Sequence, residues 1–116
     1  MIVLTVLSVL LAVVFLLLGA AKVLALPRMR QLAEHAGFSV AAYRGIGALE
    51  VAGAAGLLLG LSVPILGASA GAGLLLLLAG AVITHVRNRD GIAELTPAVV
   101  CAVLVVGYLA ALGMSS

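Results

Sequence analysis

The run IVLTVLSVLLAVVFLLLGAA, from Ile2 to Ala21, contains no charged residue. A helix of about 20 largely apolar residues crosses the hydrocarbon core of a bilayer. Three further runs of similar length follow, so no segment of the chain offers a polar shell to cover the first. Composition closes the argument: 66% of the 116 residues are apolar and 9% are charged. Soluble domains run near half apolar and a quarter charged. The expected fold is all-α: an integral-membrane four-helix bundle with a short amphipathic interfacial helix between helices 1 and 2. Residues 1–116 form a single transmembrane domain in this reading, with no soluble domain and no linker.

Local signals place the elements. The first membrane helix is expected at about 2–24 and ends before Pro27. It has no basic leading region, its apolar run is long and no small-residue cleavage site follows, so it is read as retained rather than as a cleaved signal peptide. PRMRQLAEHAGF is the one polar stretch of any length. Met29, Leu32, Ala33 and Ala36 fall on one helical face, with Arg28, Arg30, Gln31, Glu34 and His35 on the rest. A segment at about 28–37, too short to span and stopped by Gly37, suits a helix lying in the interface. Ser39 is a candidate N-cap for a helix at about 40–61. Ser62 and Pro64 start a third at about 64–86. RNRDG then makes a polar turn, with Thr96 capping and Pro97 opening a fourth helix at about 97–113.

The bases are distributed unevenly. Lys22, Arg28, Arg30, Arg44, Arg87 and Arg89 lie on or beside the first and third connections, whereas the second connection and both termini hold none. The positive-inside rule then predicts a multi-pass cell-membrane protein with both termini on the non-cytoplasmic side. Arg28, Arg30, Arg44, Arg87 and Arg89 are read as interfacial anchors and topology signals. They are too few and scattered for a phosphate-tracking stripe, so nucleic acid is not an expected partner. Glycine-rich faces, including GLLLG at Gly56–Gly60, predict close helix packing without specifying a dimer.

One carboxylate stands out. Glu50 lies six residues inside Arg44 on the second membrane helix, about 9 Å deeper at the helical rise. A charge at the centre of a spanning helix costs about 2.5–3.5 kcal/mol on insertion scales. Glu50 is off-centre, so the cost is smaller, but the group must still protonate, pair or meet water. Lys22 on helix one and Thr84 and His85 on helix three reach the same end of the bundle. Glu50 is therefore expected to face the interior and pair with Lys22, His85 or both, with Thr84 adding a hydroxyl. Such a cluster either locks helix packing or forms a polar pocket for a headgroup, a quinone ring, a proton or a small solute.

Other chemistry finds little support. Cys101 is the single cysteine and lies in an apolar helix, so an internal disulfide or CxxC pair is excluded. Two histidines do not make a closed metal site, and no metal is expected. GASAGAGL falls within a spanning helix and is not a nucleotide-binding loop. Tyr43 and Tyr108 are read as aromatics of the interfacial belt.

The order of short motifs resembles a known family. FLLLGAAKVL sets Phe15, Gly19 and Lys22 near the end of helix one. GIGALEVAGAAGLLLG sets Gly47, Glu50 and Gly53 in helix two, AGLLLLLAGAVITHVRNRD closes helix three with His85 and Arg87, and TPAVV opens helix four. This arrangement is similar to the DoxX-like family of small four-helix membrane proteins over nearly the whole chain. The resemblance implies that Lys22, Glu50 and His85 match the family's characteristic polar positions. It also implies association with redox complexes, since the wider family includes a membrane subunit linked to thiosulfate:quinone oxidoreduction and others tied to thiol-oxidative stress or receptor assembly. The leading expectation is a small integral-membrane accessory subunit supporting a membrane oxidoreductase or another membrane complex, not an enzyme on its own. The alternative is a quinone- or lipid-binding redox component, with quinone the candidate cofactor. A small proton-coupled transporter ranks lower, because four-helix exporters carry their glutamate in helix one among aromatics. The expected partners are the bilayer and a membrane or membrane-associated protein; a homo-oligomer is left open.

Overall fold

The computed structural model describes residues 2–114, which form five helices and no strand. These are α1 (Ile2–Val23), α2 (Pro27–Ala36), α3 (Val40–Leu59), α4 (Pro64–Arg87) and α5 (Ile92–Met114). Four of them are long and apolar enough to cross a membrane. The fifth, α2, is the ten-residue amphipathic segment. The long helices close a ring in which α1 packs on α3, α3 on α4, α4 on α5 and α5 on α1. Each neighbour runs antiparallel to the last, so both polar connections fall at one end of the bundle.

The core is a column of side chains from all four spans, among them Leu11, Phe15, Leu57, Leu74, Val105 and Tyr108. Outside the core the surface stays apolar: Leu17 is 66% exposed, Leu76 75% and Val103 65%. A surface apolar all round suits a lipid surrounding. In lipid, apolar burial between helices gains little, and close backbone packing takes over. Glycine supplies it at two seams. A Cβ on Gly47 would lie 2.5 Å from the Lys22 Cβ and 2.7 Å from the Gly19 carbonyl oxygen, so α1 and α3 touch backbone to backbone there. At the opposite end a Cβ on Gly60 would lie 2.5 Å from the Gly67 Cα, and one on Gly56 2.6 Å from the Ala70 Cβ. The GLLLG pattern thus serves the α3–α4 contact within the chain. Gly73 and Gly80 face open space.

Three helices end the same way. At the end of α1, Leu26 N–H donates to Ala21 and Ala25 N–H to Lys22, around Ala25 at φ 51°. At the end of α2, Phe38 donates to Ala33 and Gly37 to Glu34, around Gly37 at φ 82°. At the end of α4, Asp90 donates to His85 and Arg89 to Val86, around Arg89 at φ 56°. Each is a left-handed Schellman stop. Gly37 was the predicted one. Ala25 and Arg89 were not foreseen, because side chains rarely adopt that conformation. The left-handed residue of the RNRDG turn is Arg89.

Ser39 caps α3, its hydroxyl accepting from Ala42 N–H at 3.0 Å. The start of the last span differs from expectation. Thr96 does not cap it, and Pro97 lies inside it. Gly91 instead offers its carbonyl to Glu94 and Leu95 N–H, at 3.2 and 3.3 Å, and opens the helix five residues earlier. The Thr96 hydroxyl turns back to the Ile92 carbonyl at 2.6 Å. Pro97 falls in the second turn, where it costs one ladder bond rather than ending the helix. The added turn gives α5 23 residues, about 35 Å at the helical rise and enough to span.

Candidate functional site at the basic end of the bundle

Lys22 and Glu50 meet because α1 and α3 meet. The Gly19–Gly47 contact brings the two backbones together within a turn of both side chains. Lys22 Nζ donates to Glu50 Oε1 at 2.5 Å. Both side chains are nearly covered, 12% and 7% exposed. Glu50 and Ser8 are the buried polar residues among those described. The ammonium also lies 5.3 Å from the centroid of the Tyr43 ring, within cation–π range. Phe38 stacks on Tyr43 with centroids 6.3 Å apart. The cation is thus held between a carboxylate deeper in the bundle and an aromatic face toward the polar end.

His85 and Thr84 do not join this pair. The Thr84 hydroxyl donates to the Gly80 carbonyl of its own helix at 2.8 Å. His85 Nδ1 contacts Asp90 Oδ2 at 2.7 Å, while His35 Nε2 of α2 contacts Oδ1 of the same carboxylate at 2.8 Å. Of the expectation that Glu50 pairs with Lys22, His85 or both, the Lys22 arm is present and the His85 arm is not. The Schellman stop at Arg89 folds Asp90 back over the end of α4, and a carboxylate five residues away outcompetes one on a neighbouring helix. Asp90 had been read only as a turn residue. Its side chain is 7% exposed beneath the two imidazoles. Hydrogen bonds from His85 and then His35 hold its carboxyl below the ordinary aspartate value. Asn88 Nδ2 adds a bond to the His35 carbonyl at 3.2 Å.

Two of the arginines read as interfacial anchors have backbone partners. Arg44 Nε donates to the Val23 carbonyl at 2.8 Å, and Arg30 Nε to that of Ala25 at 2.9 Å. The last four carbonyls of α1 are thereby all satisfied: Ala20 by Leu24, Ala21 by Leu26, Lys22 by Ala25 and Val23 by Arg44. Helix ends leave such acceptors unpaired, and a basic group there also opposes the helix dipole favourably. Arg28, Arg87 and Arg89 remain exposed around the same end. Tyr108, expected in the interfacial belt, is fully buried, its hydroxyl lying where Gly60 and Gly67 leave room. Cys101 is half-buried on α5.

Lys22, Ala25, Met29, Arg30, Ala33, Val40 and Tyr43 line a crevice between α2 and the ends of α1 and α3 that is too narrow to admit a water molecule. Ligand pockets for drug-sized molecules run about 300–1,000 Å³. An apolar cleft of about 300 Å³ between Pro64, Ile65, Ala68, Leu109, Leu112 and Gly113 lies at the other end.

Comparison with known proteins adds one finding. The sequence model of the DoxX-like family matches residues 6–107, most of the chain. No curated protein and no solved structure matches.

Proposed function

The chain belongs to the DoxX-like family and is a multi-pass membrane protein, and we propose on that footing that it is a small accessory subunit supporting a membrane oxidoreductase or another membrane complex. The observation that carries this reading is how the ionisable side chains of the basic end are used. Lys22 and Glu50 bind each other, Arg44 binds the end of α1, Arg30 binds Ala25 in the α1–α2 junction, and His85 and His35 bind Asp90. These contacts join α1 to α3, brace the α1–α2 junction and tie α2 to the end of α4, as in a scaffold. The single cysteine also argues against intrinsic dithiol chemistry. Both termini lie on the non-cytoplasmic side in this reading, which sets the basic end and α2 against the cytoplasmic leaflet.

A second reading is favoured by one feature. The crevice under α2 brings Lys22, Arg30, Met29 and Tyr43 together. If it opened, it would offer cations and an aromatic face to a quinone ring or a lipid headgroup. Purification in mild detergent from native membranes, followed by mass spectrometry, separates the two readings. A redox enzyme present in stoichiometric amount, and lost from the membrane when this chain is deleted, is the outcome expected of an accessory subunit. A partner-free protein carrying quinone or lipid would overturn that reading in favour of the second.

A further inference from the structure

Helix α2 is attached differently from the rest of the bundle. It buries one residue fully, Ala33. A left-handed residue stands at each of its junctions, Ala25 before it and Gly37 after it. Its Arg30 bond reaches only to Ala25, at its own N-terminal junction. Its side-chain ties to the α4–α5 turn are all at its C-terminal end: His35 Nε2 on Asp90 Oδ1 and Asn88 Nδ2 on the His35 carbonyl. His85 holds the second oxygen of Asp90 and fixes where that carboxylate points. Met29, Arg30 and Ala33, on the inner face of α2, form the roof of the crevice that has Lys22 on its wall.

We infer that α2 is a hinged cover over the Lys22 end of the bundle, held shut by the His35–Asp90–His85 clasp. Ala25 and Gly37 are the hinges, since segments that swing do so at a few junction residues that absorb the backbone change. The clasp is the catch. It joins two connections more than fifty residues apart in sequence through one carboxylate that accepts from both sides. With the catch released, α2 keeps the packing of its narrow apolar face, the single Asn88 bond to the His35 carbonyl and the Arg30 bond within its own junction. Lys22 is the sole lysine of the chain and is 12% exposed with the cover shut, so opening gives water access to a single internal amine. The device does not depend on which functional reading holds, because its motion is defined without a ligand.

The test uses the full chain in lipid nanodiscs, with Cys101→Ser as background and Ala33→Cys as reporter. The rate of modification by a membrane-impermeant maleimide reports opening. Acylation of Lys22 by a water-soluble amine reagent, read by mass spectrometry, reports what the cover protects. Asp90→Asn removes the charge that both imidazoles meet. The expected result is a rise of about tenfold in both rates, the equivalent of losing one net hydrogen bond to a charged group. His35→Gln, at an exposed position, should do the same and decides the matter if Asp90→Asn does not fold. Equal rates in parent and variants, fast or slow, would overturn the clasp. Faster thiol modification with Lys22 unchanged would overturn the role as a cover.

Discussion

Lys22 and Glu50 form the residue pair on which the basic end is built, and the cost of separating them is unequal. Removing one partner of a buried ion pair costs about 3–5 kcal/mol, whereas replacing both with apolar groups of similar size is often neutral. Lys22 has a long stem and sits one turn from the polar boundary, so it can extend outward when left alone. Glu50 has a short stem and lies deeper. Lys22→Met should therefore destabilise more than Glu50→Leu, and the double variant should lose less than Lys22→Met alone. Unfolding by a denaturing detergent against a mild one gives the three values. An additive double variant would show that the pair does not act as a unit. Asp90 gives a pH prediction of definite sign. Its carboxyl is held below the ordinary aspartate value of 3.8 by His85 and His35. Its contribution is therefore fully present above that value and is lost as the pH falls through the lower folded one. The Asp90 carboxyl-carbon resonance should titrate below 3.8 in the parent and move upward in His85→Gln. A midpoint unchanged by that substitution would remove the imidazole as the cause.

At the scale of the element, helix contact depends on where a glycine faces rather than on how many there are. Gly47 sits where a Cβ would strike the Lys22 Cβ and the backbone of Gly19. Gly47→Ala should force α1 and α3 apart, cost about 1–3 kcal/mol as overpacked sites do, and lengthen the Lys22–Glu50 contact. Gly73 has open space around its Cβ position. Gly73→Ala should leave packing untouched and gain up to about 1 kcal/mol from helix propensity. The same detergent titration ranks the two substitutions. Equal effects would mean that the α1–α3 seam does not constrain the bundle. Element ends follow a similar logic. Ala25 and Arg89 take the left-handed stop because the chain must turn sharply into α2 and into the Asp90 turn, and neighbouring groups over-determine the conformation.

For the whole molecule, the charge distribution sets one end apart. All six basic residues lie on or beside the two connections of that end, and the connection between α3 and α4 has none. A cytoplasm-dependent fluorescent reporter fused at either terminus should stay dark, while a periplasm- or lumen-dependent one should be active. Introducing arginine at both Ser62 and Val63 should lower the fraction inserted in this orientation. Active cytoplasmic reporters at both termini would invert the topology and place α2 on the opposite leaflet.

The sequence by itself determined the four spans, the amphipathic segment, the Ser39 cap, the Gly37 stop and the gathering of Lys22 and Glu50 at one end. These follow from rules that act along the chain: the length of an apolar run, the helical period, the residue preferences of helix ends. Only the tertiary structure decided that His85 turns to Asp90 rather than Glu50, that Arg44 closes the end of α1 and that Tyr108 is buried. It also decided that α5 opens at Ile92 ahead of its proline. Each of these depends on distances across the bundle or on a left-handed turn at a residue that carries no signal for it. A carboxylate takes whichever donor the backbone brings within about 3 Å, and that choice is made by how the helices end and pack.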